Sequence, residues 1–145
     1  MPFIVRWPGT VRAGSVCAQA ISFTDALATM ADVVGADLPA GAGPDSFSFL
    51  PALKGGTFRR APVVMQSGGG FMTIRSGRWK LVEGLGSGGF SEPARVTAGI
   101  GDPAGQLYDL AADPAETTNR FAREPEVVER LRAEMRSIVE SGRSR

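Results

Sequence analysis

The hydrophobic positions of this chain follow two regimes. Up to about residue 60 they come in short runs and one helical stripe; beyond it they alternate. The run Phe3-Ile4-Val5 has no alternation and ends at Trp7-Pro8-Gly9, which suits a strand over residues 3–6 buried on both faces. In "ISFTDALATMADVVG", Ala26, Leu27, Met30, Val33 and Val34 recur at helical spacing. Ser22 and Asp25 have capping-box spacing and Gly35 sits where a left-handed stop belongs, so a helix is predicted over 24–34. "FSFLPALKGG" allows one further helical turn.

From residue 61 the pattern is that of strands. "APVVMQS", "FMTIR" and "RWKLVEG" are separated by Gly68-Gly69-Gly70 and Ser76-Gly77, which predicts a three-stranded antiparallel meander. Met72 with Ile74, and Trp79 with Leu81, alternate as a sheet with one buried face requires. "QLYDL" is a fourth strand, and "AADPAETTN" a turn held by side-chain-to-backbone hydrogen bonds. The glycine-rich stretch 84–104 between them is long for a compact domain, so it is either a functional loop or poorly ordered. A last helix starts with Pro125 in its first turn and carries the stripe Val127, Val128, Leu131, Met135, Ile138 and Val139.

Composition narrows the chemistry. Sixteen basic and fifteen acidic residues leave a net charge of +1, which gives no electrostatic case for a nucleic-acid or membrane-surface partner. No apolar run reaches the roughly 20 residues of a spanning helix. The 145 residues contain no histidine, which removes the commonest general base and every Ser-His or Cys-His nucleophilic device. The single cysteine, Cys17, excludes an internal disulfide framework and a cysteine-based metal cluster, and reads as a small apolar residue near a turn. Trp79 and Tyr108 read as core aromatics.

Five stretches in order resemble one family, the type I sulfatases of the alkaline-phosphatase-like superfamily. They are "PFIVRWPGTVRAGS", "ISFTDALATMADVVG", "GPDSFSFLPALKG", "GFMTIRSGRWKLV" and "GQLYDLAADPAETTN". The resemblance spares only the 84–104 loop. It implies an α/β architecture. The terminal strand and helix of an alkaline-phosphatase-like catalytic domain would occupy residues 1–56, and a four-stranded antiparallel sheet with a packed C-terminal helix residues 57–145. It also implies sulfuric ester hydrolysis as the parent activity, with formylglycine as nucleophile and Ca²⁺ on the sulfate oxygens.

The chain departs from the family where that chemistry resides. Cys17 lies in "SVCAQA", without the Pro and Arg of the family's nucleophile motif. The Asp-Asp and Asp-Asn or Asp-His metal pairs and the catalytic histidines do not occur. No catalytic residue and no metal ligand is therefore assigned, and the chain alone is expected to be non-catalytic. Met1 stands where the family commonly has Val before Pro-Phe, so the resemblance implies an internal or mis-called start, with the active-site lysine upstream.

Four residues are candidates for the rim of the substrate pocket. Gln66 and Ser67 follow a strand end where family members often carry His-His-Ser, and they offer neutral hydrogen-bond partners. Arg75 and Lys80 form, with Arg78, a basic cluster that a sulfate ester would attract; the alternative reading of Arg75 and Lys80 is structural. The expected partner is the missing N-terminal catalytic portion, or self-association through exposed apolar surface. Two other readings stay open: a subunit or binding module completing a separately encoded half, and a fragment of a related phosphodiesterase or phosphonate hydrolase. Residues 1–55 are expected to be more loosely held than 60–145.

Overall fold

The computed structural model describes residues 3–145; Met1, at which an internal or mis-called start was expected, lies outside them. The chain forms two compact units. One comprises residues 3–61 with Arg143–Arg145, the other Pro62–Gly142.

The first unit is organised by polar side chains. A 3₁₀ turn, Phe23–Asp25, leads directly into helix α1, Ala26–Val34. The capping box is formed: Ser22 Oγ accepts from Thr24 N–H, and Asp25 accepts from Ser22 N–H at 2.6 Å. Gly35 stops α1 in the left-handed conformation at φ 66°. Segment 46–49 is stitched along α1 by three buried groups. Ser46 Oγ accepts from Ala28 N–H (2.8 Å), the Asp25 carboxylate from Phe47 N–H (3.0 Å), and Thr29 Oγ1 from Phe49 N–H (3.1 Å). A short helix, α2, Leu50–Leu53, follows. Asp25 has no solvent exposure and its carboxylate also takes Arg60 Nε at 2.7 Å. That pair, with Phe58 N–H donating to Gln19, keeps residues 58–60 in the first unit.

The strand expected over 3–6 does not form. Residues 3–7 belong to no ladder, and Ile4 is 88% exposed. A strand needs a neighbour to hydrogen-bond, and the sheet of this chain lies wholly in the other unit. Phe3 instead packs edge-on against Phe49 at 5.4 Å.

The second unit is the antiparallel meander. Strands β1 (Val63–Gln66), β2 (Met72–Ser76), β3 (Trp79–Val82) and β4 (Gln106–Asp109) pair in sequence order. Their register aligns Val64, Ile74, Leu81 and Leu107 in one row. The last three have no exposure, and helix α3, Pro125–Ser141, packs Val128, Leu131 and Met135 against them. Alternation predicted one buried face, but the other is covered in part. On the face away from α3, Thr73, Val82 and Tyr108 are buried as well. Beside Val82 there, the Gln106 amide donates to the carbonyls of Gly84 and Gly86 and so fastens the start of the 84–104 stretch.

The outer edge of β4 is closed by "AADPAETTN". Asn119 Oδ1 accepts from Leu107 N–H, and Arg120 N–H donates to Leu107 C=O. The Asp109 carboxylate receives a two-pronged bond from the Arg78 guanidinium of the β2–β3 turn and a further one from Ala111 N–H. Asp113 accepts from Thr117 Oγ1 and Thr118 N–H, which fixes the turn.

Two predictions follow from these bonds. Asp25→Ala leaves the Ser22 and Phe47 amides and the Arg60 guanidinium without their shared acceptor, and should cost the first unit about 3–5 kcal/mol. Trp7 and Trp79 report on the two units separately. In urea titrations of single-Trp variants, the Trp7 transition should move to lower denaturant while that of Trp79 holds. Second, the bond from Arg78 holds Asp109 below the usual carboxylate range, and the Thr117 and Thr118 bonds do the same for Asp113. Their contribution is complete above the unfolded value of about 3.9 and is lost as pH falls through the lower folded values. Acid titration should therefore loosen the β4 edge below about pH 4, and Asp109→Asn should flatten that dependence.

Candidate functional site

Gln66 ends β1 and is exposed. It pairs with Met72, so it lies on the α3 face of the sheet. Ser67 opens the β1–β2 hairpin. Its N–H donates to Phe71 C=O and its hydroxyl accepts from Phe71 N–H at 3.0 Å, so the side chain closes the turn. Arg75 and Lys80 face each other across β2 and β3 in a row that runs Val63, Arg75, Lys80, Tyr108 on the opposite face. The four candidates thus fall on two faces and do not converge as one rim.

Adjacent cations repel, and the fold resolves this on one side only. Lys80 Nζ meets both carboxylate oxygens of Glu116 at 2.7 Å. Glu116 adopts φ 57°, the left-handed region, to reach it. The adjoining Tyr108 hydroxyl is held above its ordinary pKa by burial first, then by the charges of Glu116 and Asp113. Arg75 is half-buried, and its Nε is a buried donor with no hydrogen-bond partner among the described residues. Arg78 is spoken for by Asp109, and its ring neighbour is Trp79, 5.7 Å away. The basic cluster therefore reduces to Arg75.

The 84–104 stretch has no regular element but is folded onto the hairpin tip. Gly69 N–H donates to Gly88 C=O at 2.7 Å, Arg95 donates to Gly69 C=O, and the Arg95 guanidinium lies 4.7 Å from the centre of the Phe71 ring. A Cβ on Gly88 would meet Phe71 and Ser67 Oγ at 2.6 and 2.7 Å, and one on Gly84 would meet the Phe71 ring at 2.5 Å. Gly84 is thus required by close approach, and Gly88 by close approach together with its left-handed φ of 63°. Composition showed only a glycine-rich run, and nothing in it marked Phe71 as the object being enclosed.

A depression of about 650 Å³ in the first unit is lined by Arg12, Ser15, Cys17, Gln19 and Lys54 among others. Cys17 is exposed there. Its lining offers no carboxylate to pair with the thiol or the cations. The calcium ion implied by the family resemblance requires roughly six to eight oxygens. Among the described residues no three His, Cys, Asp or Glu side chains converge. Asp109, Asp113 and Glu116 are each committed to the bonds above. These residues do not fit a calcium site, and the surroundings of Cys17 do not fit a formylglycine nucleophile.

Among the described residues no helix is long and apolar enough to cross a membrane. No protein-family model matches the chain. It is 34% identical over 139 residues to an N-acetylgalactosamine-6-O-sulfatase of Bacteroides thetaiotaomicron, a match covering 95% of this chain and 27% of that protein. It is 27% identical over 152 residues to arylsulfatase K of Mus musculus, covering 96% and 25% respectively. A solved sulfatase structure from work on the metabolism of multiple glycosaminoglycans by Bacteroides thetaiotaomicron superposes with a TM-score of 0.61 at 32% identity, covering 79% of this chain and 24% of the other. The chain spans about a quarter of the length of these relatives. Its sequence matches and its fold together place it in the type I sulfatase family, as a C-terminal portion with the α/β architecture of that family.

Proposed function

We propose that this chain serves a sulfuric ester hydrolase as its C-terminal portion and does not hydrolyse sulfate esters by itself. One observation carries the reading: a sulfatase accounts for 95% of this chain, whereas the chain accounts for 27% of that sulfatase. The residues support it. Cleaving a sulfate ester requires a group to attack sulfur and groups to stabilise the charge that develops on oxygen. Ser67, Arg78 and Lys80 are engaged in the bonds that build the sheet. Calcium, formylglycine and the acid–base groups would come from the part of the fold that this chain does not contain.

On this reading the chain contributes position rather than chemistry. Gln66 is the rim candidate best disposed to meet a substrate, because its amide is exposed at a strand end and can both donate and accept. Lys80 acts through Glu116 to hold the sheet against the "DPAETTN" turn.

The test is sulfate release from an aryl sulfate by the purified chain, alone and mixed with a separately expressed polypeptide carrying the remainder of a sulfatase fold. The chain alone should match a buffer control, and the mixture should turn over. Release by the chain alone contradicts the proposal, and a mixture that cleaves an aryl phosphodiester but no sulfate ester favours the phosphodiesterase reading. In the active mixture, Gln66→Ala should raise KM by about 2–10-fold, the worth of one hydrogen bond. Lys80→Met should lower thermal stability and leave KM unchanged.

A further inference from the structure

Helix α1 is packed the wrong way round for a surface helix. The side chains it buries are small or polar: Asp25 and Thr29 have no exposure, Ala28 has 6% and Ala31 has 9%. The side chains it shows to solvent are the large apolar ones: Phe23 is 86% exposed, Leu27 50%, Met30 53% and Val34 74%. Their spacing of four, three and four residues puts them on one stripe of the 3₁₀ turn and α1. Isolated exposed apolar residues need no explanation, but a contiguous stripe marks an interface. An ordinary amphipathic helix turns such a stripe inward, and here the inward face is already filled by the bonds to segment 46–49.

We propose that the stripe Phe23, Leu27, Met30 and Val34 is the docking surface for the part of the sulfatase fold that this chain does not contain. The inference rests on the sulfatase reading above and adds the surface through which that fold is completed. Two facts favour this occupant over a second copy of the chain. The matched relatives are about four times as long as the stretch they share with it, so a large body of fold remains to be placed. Ile4, 88% exposed, belongs to the same unit and is a further apolar side chain open to solvent. A cover made by a helix or sheet of that body would bury both.

The probe is the segment of the Bacteroides thetaiotaomicron N-acetylgalactosamine-6-O-sulfatase lying outside the matched region, expressed as a separate polypeptide. Binding is followed by co-purification and titration, and the Met30 thioether is followed by its rate of oxidation with peroxide. The unsubstituted chain should bind, and bound Met30 should oxidise at least tenfold more slowly than free. Leu27→Asp/Met30→Asp should weaken binding at least tenfold while keeping the far-ultraviolet circular dichroism of the parent. Leu27→Ala/Met30→Ala, which retains strong helix formers, should weaken it less. No binding by the unsubstituted chain, or equal binding by the Asp variant, overturns the proposal. Concentration-dependent dimers that the Asp variant abolishes, without binding to the probe, overturn it in favour of self-association. A complex that forms through the stripe but releases no sulfate supports the docking surface and counts against the sulfatase reading, so the two failures are separable.

Discussion

A single carboxylate organises the first unit. Asp25 is fully buried and takes hydrogen bonds from its neighbour Ser22 and from Phe47 and Arg60, two segments distant in sequence. Burying a charge is tolerated only when it is paired and its lone pairs are satisfied, and each of these donors contributes to that. The consequence is a core in which Asp25, Thr29 and Ser46 are buried beside Phe49 and Ala28. The second unit inverts this: its fully buried side chains are Ile74, Leu81, Leu107 and Leu131, all aliphatic. One unit is specified by hydrogen-bond geometry and the other by burial of apolar area.

That contrast links fold to function. Hydrogen bonds fix a segment in place but contribute modestly to net stability, whereas four aliphatic side chains under a helix supply the dominant favourable term of folding. The first unit spends the inward face of α1 on polar stitching and leaves Phe23, Leu27, Met30 and Val34 outside. The second buries one sheet face under α3, part of the other, and closes its β4 edge.

Much of this was legible in the sequence. The capping box at Ser22 and Asp25, the left-handed stop at Gly35, the four strands and the Pro125 helix start are formed as local patterning predicts, because each depends on neighbours within a few residues. The strand at 3–6 was not, since a strand's existence depends on a pairing partner that no local pattern reveals. The site residues divide in the same way. Lys80 carries both a sulfate-attracting and a structural reading in the sequence, and no local pattern shows that Glu116, 36 residues away, holds it. Ser67 reads as a neutral hydrogen-bond partner at a rim, and no local pattern shows that its hydroxyl accepts from Phe71 N–H to close the hairpin. The partial burial of the second sheet face was hidden because Gln106 recruits its loop through backbone carbonyls, which leave no side-chain signature.

Native-state hydrogen exchange on the isolated chain tests the account most directly. The amides of Ile74, Leu81 and Leu107 should open only with global unfolding. Those of Ala28, Phe47 and Phe49, held by the polar stitches, should exchange through a lower-energy opening of the first unit. Equal protection in the two units would show that the first is complete without a partner, and would contradict the account.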